Sequence, residues 1–554
     1  MQKHLFIGSS LGFMVLLGGC SGAIGSRPDD SSVSVGAGGS DGGGDTSSGG
    51  ASSTGSTSTP SGTSSGGGAA PPAIGPTAVD CTHKGSGTDY AVGPGQPYAT
   101  PSDVPFESLV AGDTVRIFYK EGGYHDKLMI AGVGTSDQPI RVCGVAGPNG
   151  ELPRIDGDGA TTRPTLDFPF TGHQVRGLII IGHAHDAPYA QTPSYIVLEG
   201  LEITGASPEH QFTDKSGATA TYSDPAAGVF VQRAAHLVIR GCDIHDNNNG
   251  IFSGTGGGEE LTTDLLIESN HIHSNGSLTD YYEHNVYNEV SGVVYQFNWM
   301  GSPRAGNAGA VLGANIKDRG AGVVIRYNFM EDGAHMLDLV DAQEAQGTTV
   351  PMQSFHETFV YGNVFVRGPA FSGSMIHYGG DSGITENYRK GTLYFFQNTV
   401  VVENAQYDDY EAAAIFELST NDEHLVSRNN VYFTAAPTTA TKPVVLLGPR
   451  DSVTSGIASL SHDWLRDGIT PYKQISGDWQ GEVDGFATTG SDPGFSDPAA
   501  EEFAPEAGSA LADAGMVLSG EIPAGHEVVF QYAKVQSGEP RDDTSAPTLG
   551  AFHK

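Results

Sequence analysis

Basic residues are scarce in this 554-residue chain, with 28 Lys and Arg against 64 Asp and Glu and a formal net charge of −36 at pH 7. Nucleic-acid binding requires a basic face that neutralises phosphates, so the composition argues against a nucleic-acid partner. An anionic ligand would need a local cationic pocket. An acidic extracellular surface is by itself enough to account for the charge.

Long apolar runs and helical periodicity are also missing. After the first twenty residues, no segment is long and apolar enough to span a bilayer. No 3.6-residue hydrophobic period is sustained between positions 195 and 435, which argues against long amphipathic helices there. No glycine-rich phosphate loop follows a strand and opens a helix, so nucleotide use is not expected.

The N-terminus has the pattern of an export signal, because Lys3 and His4 precede a mostly apolar stretch from Leu5 to Leu17. The end of this stretch, Leu17-Gly18-Gly19-Cys20, resembles a bacterial lipobox, which implies that Cys20 becomes the lipidated first residue of the mature chain. An uncleaved membrane anchor is the alternative, but the apolar run is short for a bilayer span. Ser21 resembles the outer-membrane sorting choice of Gram-negative cells. We therefore expect a protein that is lipid-anchored to the cell envelope, in the outer membrane.

Composition divides the chain into four predicted regions. Residues 1–20 form a lipoprotein signal peptide, and residues 21–78 form a Gly-, Ser- and Thr-rich linker that cannot bury a core. Residues 79–435 hold a repeated strand pattern. Residues 436–554 are expected to add further coils and a cap on the open edge of the stack, and Asp463-Trp464-Leu465 is expected to open a short helix within them. We expect a monomer.

A short phrase recurs along the chain, consisting of two apolar residues, two small or polar ones, Asn, and more apolar residues. The clear copies are centred on Asn270, Asn298, Asn328, Asn363 and Asn398, with weaker copies at Asn429, Cys242 and Leu201. From Cys242 onward, successive copies lie 28 to 35 residues apart. Such a period is typical of stacked structural units.

Each phrase is short, alternating and rich in Val, Ile, Tyr and Phe, which is typical of a strand. One phrase cannot bury its own apolar face, so neighbouring phrases must stack. The repeated Asn side chains would then form an internal ladder, each amide bonding to backbone and to the Asn above and below. An antiparallel sandwich is the alternative, but its strands would recur at roughly 8–12 residues.

The repeats resemble those of the right-handed parallel β-helix proteins, the pectate-lyase-like superfamily. Gly112-Asp113-Thr114 and Ile155-Asp156-Gly157 resemble the entry coils of such proteins, and Asp492-Pro493-Gly494 and Leu549-Gly550-Ala551 resemble their exit segment. The resemblance implies an all-β fold, a right-handed parallel β-helix (solenoid) with an internal Asn ladder and a C-terminal capping region. It indicates little about substrate, because one fold hosts many functions.

Cysteine is rare, with four residues in the whole chain. Export into an oxidising compartment permits a disulfide, and Cys81 with Cys143 is the pair that we favour because it would tie the N-terminal segment to an early coil. Free thiols throughout are the alternative. Cys242 lies inside a strand phrase and is expected to be a buried small apolar residue.

A second strand follows each phrase, and strand alternation sends one of its residues outward. The predicted outward column contains Phe252, Tyr287, Lys317, Asp338, His377 and Glu417. Neighbours in this column would lie about 4.8 Å apart, and Arg319 would share the face of Lys317. Aromatic rings beside carboxylates and cations suit a groove for sugars.

This mixture of groups predicts cleavage of an acidic, uronate-containing polysaccharide by β-elimination. In that reaction a cation neutralises the substrate carboxylate, a base removes the neighbouring proton, and an acid assists the leaving oxygen. We assign Lys317 as the base, with a lowered pKa, Arg319 as the carboxylate clamp, and Tyr287 or His284 as the proton donor. The residues assigned to substrate binding are Asp338, His377, Asn285, Asp341, Asp381, Tyr388 and Arg389.

The resemblance does not extend to this arrangement. β-helix lyases commonly place a Lys and an Arg on adjacent coils, often with calcium, whereas here the residue one coil beyond Lys317 is Asp338. The structural alternative is a surface ladder of salt bridges, Lys317 with Asp338 and Arg319 with Glu289.

Three other functions stay open. A β-helix glycoside hydrolase would use carboxylates such as Asp338, Asp341 and Asp381, but the Asn-x-Asp motif and Asp pair of such hydrolases are not found. A uronate epimerase would share the proton abstraction. A non-catalytic glycan-binding surface lipoprotein would need no chemistry at all.

The sequence contains candidate ligands for two metals, calcium and zinc. Calcium as a cofactor would be held by Asp338, Asp341 and Asp381, although no dedicated calcium loop is visible. His271 and His273 form a His-x-His pair on one face, but no third ligand follows at metal spacing. We interpret this pair as turn-facing side chains rather than zinc ligands.

Overall fold

The computed structural model describes residues 75–168, 171–188, 191–254, 261–368, 373–403, 413–435, 444–448, 457–472, 482–542 and 546–553. The predicted signal peptide, Cys20 and nearly all of the predicted linker lie outside the described residues. Within these residues, no helix has the length and apolar character needed to cross a membrane.

Short strands account for most of the regular structure. The strands of the first coils are β1 (Asp89–Val92), β2 (Thr114–Phe118), β3 (Leu128–Ile130), β4 (Ile140–Val145), β5 (Arg154–Asp156), β6 (Gly177–Ile181), β7 (Ser194–Glu199), β8 (Glu202–Thr204), β9 (Gln211–Thr213), β10 (Thr219–Thr221), β11 (Ala227–Val231), β12 (Ala235–Arg240), β13 (Asp243–His245) and β14 (Asn249–Ser253). The central strands are β15 (Thr262–Glu268), β16 (His271–His273), β17 (Val286–Asn288), β18 (Val290–Gln296), β19 (Trp299–Met300), β20 (Ile316–Asp318), β21 (Ala321–Arg326), β22 (Phe329–Glu331), β23 (Leu337–Leu339), β24 (Glu357–Tyr361), β25 (Val364–Arg367), β26 (Ile376–Tyr378), β27 (Thr392–Phe396) and β28 (Thr399–Val402). The last strands are β29 (Ala413–Leu418), β30 (His424–Arg428), β31 (Val431–Thr434), β32 (Val444–Leu447), β33 (Ile457–Arg466), β34 (Thr470–Tyr472), β35 (Glu482–Gly490), β36 (Phe495–Asp497), β37 (Glu502–Pro505), β38 (Phe530–Ala533) and β39 (Ser537–Pro540).

Helix is confined, in the described part of the chain, to one α-helical turn and short 3₁₀ turns. These are α1 (Gln346–Thr349) and the 3₁₀ turns Pro101–Asp103, Phe106–Ser108, Thr171–Val175, Gln353–His356, Thr385–Asn387 and Pro498–Ala500.

Two long parallel sheets form the walls of a solenoid. Among the described residues the large sheet has 22 strands and the small sheet has eleven. A typical coil gives two strands to the large sheet, such as β15 and β16, and one to the small sheet, such as β17. Each strand pairs with its equivalents one coil earlier and one coil later, as β17 pairs with β14 and β20. The all-β parallel solenoid expected from the sequence is confirmed.

The core lies between the two walls and is built from the inward residue of each strand. In the small sheet these residues stack in register from one coil to the next, and they are Ile251, Val286, Ile316, Leu337, Ile376 and Phe416. All of them are fully buried. Burial of such a side chain stabilises the fold by about 1.5–3 kcal/mol. This stacking fixes which side of each strand faces outward.

The repeated Asn side chains stack at the corner between the two strands that each coil gives to the large sheet. Nδ2 of Asn270 donates to Oδ1 of Asn298 at 3.0 Å. The same donation continues through Asn328, Asn363 and Asn398 to Asn430, at 2.9 to 3.1 Å. Asn430 rather than Asn429 occupies the last Asn position, since Asn429 instead donates to the Met516 carbonyl.

Asp463 ends this Asn stack. Its Oδ1 accepts hydrogen bonds from the backbone N–H and Nδ2 of Asn430, at 2.8 and 3.0 Å. Asp463 therefore lies inside β33, and the short helix expected at Asp463-Trp464-Leu465 is wrong. Stacking of β33 on β30 and β31 outweighs the local preference of this sequence.

Residues 495–542 and 546–553, here called the C-terminal strap, pack against the outer face of the large sheet. Phe530 packs edge-on against Phe297, and Tyr532 packs against Phe329. The Val529 N–H donates to the Tyr327 hydroxyl at 3.2 Å. Capping of the open edge by this region stays a prediction.

A disulfide joins Cys81 to Cys143, with Cα atoms 5.5 Å apart. It ties the segment before β1 to β4. Cys242 is a free, buried thiol.

Candidate active site

The outward column of the small sheet brings together polar residues from consecutive coils. Strand pairing places Tyr287 opposite Lys317, Lys317 opposite Asp338, and Asp338 opposite His377. Phe252 precedes this column and Glu417 follows it. The alignment is the one that strand alternation predicts, but loops cover it, so that only 9% of Lys317 is exposed.

Lys317 lies between two carboxylates. Its Nζ contacts Asp338 and lies 2.6 Å from Oδ2 of Asp381. Burial acts to lower the pKa of Lys317, but the charges of Asp338 and Asp381 outweigh it and hold that pKa above its ordinary value. Lys317 therefore keeps its proton in this arrangement, which contradicts its assignment as the base.

Arg319 points to the same carboxylate as Lys317. Its Nη2 lies 3.0 and 3.2 Å from the two oxygens of Asp381, and its Nη1 donates to the Asp341 carbonyl at 2.8 Å. The Asp381 side chain is 31% exposed, against 11% for Lys317 and 5% for Arg319. Two buried cations, here called the cation pair, thus converge on one carboxylate at the surface.

The salt-bridge ladder considered from the sequence is present only in part. Lys317 does bind Asp338. Glu289, however, accepts hydrogen bonds from the backbone N–H groups of Gln343, Glu344 and Ala345. It holds the loop that follows β23, and Asp381 takes the expected place of Glu289 beside Arg319.

His377 forms a charged hydrogen bond with Asp338. Its Nδ1 lies 2.8 Å from Oδ1 of Asp338, and its Nε2 lies 2.9 Å from Oγ of Ser419. Burial acts to lower the pKa of His377, but the bond to Asp338 raises it to about 9. Ser419 was missed in the sequence, although it lies two residues after Glu417 and so shares its face.

Tyr287 is buried beside Arg319. Its hydroxyl lies 3.4 Å from Oε1 of Gln343, and Cζ of Arg319 lies 5.8 Å from the ring centroid. Burial raises the pKa of Tyr287 to about 12, while the Arg319 charge opposes the rise.

His284 presents an unpaired donor next to this cluster. Burial, and then the charge of Lys317, lower the pKa of His284 to about 3, so the ring is neutral. Its Nδ1 accepts the Ala314 N–H at 2.9 Å, which leaves the proton on Nε2. That Nε2 is buried and has no hydrogen-bond partner among the described residues. Buried donors without a partner are rare.

Asp341 and Tyr388 position the loop that carries Asp381. Oδ1 of Asp341 accepts the Asp381 N–H at 2.8 Å, and the Tyr388 hydroxyl accepts the Gly383 N–H at 3.1 Å. The Tyr388 ring lies so close to Gly380 that a Cβ there would come within 2.2 Å of it. These two residues hold the loop, so their assignment to substrate binding is replaced by a positioning role.

Asn285 and Arg389 do not reach the site surface. Asn285 is fully buried, and its Nδ2 donates to Oδ1 of Asn315 in a second Asn stack. Arg389 is fully buried and donates to the carbonyls of Val340 and Asp318. Their assignment to substrate binding is therefore wrong, because both are committed to interior backbone and side-chain groups.

The donor set does not fit calcium. Asp338 and Asp381 bind Lys317, and Asp341 lies 3.5 Å from Arg319. A Ca²⁺ ion shared by these carboxylates would stand beside two buried positive charges, an unfavourable arrangement.

The chain is similar to known proteins in structure only. No protein family description and no curated protein matches the sequence. The pectate lyase Pel9A is similar in structure at 12% identity and a TM-score of 0.39, over 86% of this chain and 98% of that one. An alginate lyase from Paenibacillus sp. str. FPU-7 is similar at 13% identity and a TM-score of 0.28, over 69% and 94%. A GH136 lacto-N-biosidase from Eubacterium ramulus is similar at 13% identity and a TM-score of 0.34, over 72% and 68%. Likeness at this level carries no argument about activity.

Proposed function

We propose that this protein degrades an acidic, uronate-containing polysaccharide by β-elimination. The observation that carries the proposal is the convergence of Lys317 and Arg319 on the carboxylate of Asp381. The space between the cation pair suits a carboxylate in both size and charge, and bonds of this kind are strong and directional. A uronate carboxylate would take this place when the Asp381 loop moves aside.

The cation pair would supply the charge that the reaction needs. Neutralising the substrate carboxylate makes the neighbouring C–H more acidic, and a base can then remove that proton. The electron pair forms a C=C bond, the C–O bond to the next sugar breaks, and the leaving oxygen takes up a proton.

The proton-transfer roles in this proposal are the reverse of those assigned from the sequence. Tyr287, which stands one coil from Lys317, is the base in its phenolate form. Burial raises the pKa of Tyr287 to about 12 in the free protein, so this role requires the Arg319 charge to stabilise the phenolate once Asp381 has moved aside. Lys317, which keeps its proton, supplies positive charge and the proton for the leaving oxygen. The free Nε2–H of His284 donates a hydrogen bond to the bound substrate.

Elimination fits the site better than hydrolysis. A glycoside hydrolase needs one carboxyl group that is protonated near neutral pH. Burial acts to raise the pKa values of Asp338 and Asp381, but Lys317 outweighs it and holds both below their ordinary range. Neither residue can then act as the acid. Burial raises the pKa of Glu289 to about 7, but its oxygens accept the backbone N–H groups of the loop after β23 and so are not offered to a substrate. A uronate epimerase shares the first step and is separated from a lyase by its product.

We also propose that the protein works outside the cell as a monomer. An export signal ending in Cys20 supports lipid anchoring to the cell envelope, in the outer membrane. The Gly/Ser-rich linker would let the solenoid reach polymers away from the membrane surface.

The proposal predicts ultraviolet-absorbing product from at least one polyuronate. The full chain is incubated with alginate, polygalacturonate and glycosaminoglycans, and both the absorbance of unsaturated uronate and the number of reducing ends are measured. Tyr287→Phe and Arg319→Gln should each lower kcat/KM by about a hundredfold or more, because each removes a group that acts in the transition state.

Arg154→Gln is the matched control, since Arg154 pairs with Glu202 on the large sheet and should retain full activity. Reducing ends without ultraviolet absorbance would show a hydrolase and refute elimination. Inverted uronate without cleavage would show an epimerase, and no product from any polymer would refute an enzymatic role.

A further inference from the structure

The large sheet carries a second cluster of ligating side chains, on a different wall from the candidate active site. Asp243 in β13 lies opposite His271 in β16, and His273 follows on the same face. Oδ1 of Asp243 lies 3.2 Å from Nδ1 of His271 and 3.2 Å from Nε2 of His273. The three ligand atoms all lie within 4.8 Å of one another.

These separations suit a tetrahedral metal ion. Zinc binds His nitrogen and carboxylate oxygen with bonds of about 2.0–2.2 Å, so neighbouring ligand atoms in a tetrahedral site lie about 3.3–3.6 Å apart. The two 3.2 Å distances are close to that edge length. The three side chains are between one fifth and two fifths exposed, which leaves a route for an ion and room for a water ligand.

The surroundings hold both imidazole rings in place. Nδ1 of His273 lies 3.0 Å from Oγ of Ser274, which leaves Nε2 as the ligating atom. The Trp299 ring stacks on His271 with centroids 4.3 Å apart, and Trp299 Nε1 donates to Glu331 at 2.7 Å. Metal-binding His residues commonly have a hydrogen-bond partner for the second nitrogen, as His273 has in Ser274.

The third ligand comes from the preceding coil, and this explains why the His-x-His pair looked incomplete in sequence. His245 is the matching residue on that coil, but its two nitrogens lie beside Asp246 and Glu202 instead. It stacks on His273 at 5.1 Å and closes one side of the cluster.

We infer that Asp243, His271 and His273 form a binding site for a divalent metal ion of the zinc type, with a fourth position open to water. A donor set of two imidazoles and one carboxylate is typical of zinc and of other late first-row metals. The ion would join two neighbouring coils and stabilise the fold when bound. The site is independent of the proposed polysaccharide activity.

The test is metal titration of the full chain after treatment with a chelator. Isothermal titration with ZnCl₂ should show a site that His271→Ala, His273→Gln and Asp243→Asn each weaken at least tenfold. Co²⁺ should give the visible absorption of a tetrahedral ion in the wild type, and these three changes should abolish it. Zinc should raise the melting temperature of the wild type but not of the variants.

His236→Ala is the matched control, because His236 and Asp264 form a similar exposed pair on the same sheet, at 3.0 Å. It should bind zinc like the wild type. A wild type without zinc binding would overturn the inference, and so would triad variants that bind zinc with unchanged affinity. Near-ultraviolet circular dichroism establishes that each variant is folded.

Discussion

Asp381 is the carboxylate that lies against both cations of the candidate site. It binds both members of the cation pair and is the most exposed group among them. Loss of a carboxylate beside buried cations is destabilising, so a carboxylate at this position is favourable even though Lys317 also contacts Asp338. Asp381 fills that role in the free protein, and a substrate carboxylate would have to displace it.

Replacing Asp381 with Asn should therefore tighten uronate binding and weaken the fold. Without the internal carboxylate, a uronate disaccharide meets no competitor, and its Kd should fall about three- to tenfold, equivalent to about 1 kcal/mol. The melting temperature should fall because two buried cations lose a charged partner. Calorimetric titration and thermal unfolding measure the two effects.

Asp422→Asn serves as the control, since Asp422 is largely exposed and pairs with Lys390 at 3.6 Å. It should change neither value. Equal or weaker uronate binding by the Asp381→Asn variant would contradict the role given to Asp381.

Sequence reasoning placed the residues whose position follows from periodicity, but it did not give the contacts of residues on loops. Alternation placed Tyr287, Lys317, Asp338 and His377 in one column, because strand register leaves a single choice of face. Asp381 lies on a loop whose path no period determines. Asp381 and Asp338 together raise the pKa of Lys317. The protonation state of Lys317, and therefore its chemical role, could not be predicted from the sequence either.

The Asn stack has a weak point at Asp463, the carboxylate that follows its last Asn. Asp463 is fully buried, and its Oδ2 lacks a hydrogen-bond partner among the described residues. Burial raises the pKa of Asp463 to about 6, although the hydrogen bonds from Asn430 oppose the rise. The folded state thus holds this proton more tightly than the unfolded chain does.

Asp463→Asn should stabilise the protein above pH 6. For a carboxyl with a raised folded-state pKa, stability is highest below the ordinary value of 3.8 and falls as pH rises to about 6. The Asn side chain does not ionise, so the variant does not lose stability in this way as pH rises. Its free energy of unfolding at pH 8 should exceed that of the wild type by about 1–3 kcal/mol, with little difference at pH 4.

Denaturant unfolding at the two pH values measures the difference. Asp467→Asn, an exposed change in the same coil, should give no difference at either pH. A stabilisation equal at pH 4 and pH 8 would show that titration of Asp463 is not its cause.

The elements themselves were largely predictable, because a recurring Asn marks each coil corner. The choice between Asn429 and Asn430 was not, since two adjacent Asn residues fit the phrase equally well in sequence. Asp463 was also missed, because Asp at this position resembles a helix start when its stacking on Asn430 is unknown.

A disulfide bond closes the N-terminal coils covalently. The Cys81–Cys143 disulfide closes a loop with a sequence separation of 62 residues. By chain entropy alone, such a closure stabilises the folded state by about 4 kcal/mol.

The double change Cys81→Ser with Cys143→Ser should lower the apparent melting temperature by several degrees, as followed by circular dichroism. A reducing agent should lower the wild-type value similarly and leave the double variant unchanged. A wild type insensitive to reduction would show that the closure does not stabilise the fold.

The fold class followed from the period of the repeats, but the path of the C-terminal strap did not. Its residues show no repeat, and its contacts join positions about 200 residues apart, as between Tyr327 and Val529. Only the folded solenoid creates the outer face on which the strap packs.

The strap also constrains how this lineage can change in length. It is fastened to the large sheet at several heights, by Tyr327 to Val529, by Asn429 to Met516 and by Thr399 to Ala551. Duplication or loss of one coil between β18 and β33 would displace these anchor points by a full strand spacing of about 4.8 Å. Insertions in this stretch should therefore accumulate in the loops, and homologous chains should conserve the number of coils that the strap crosses.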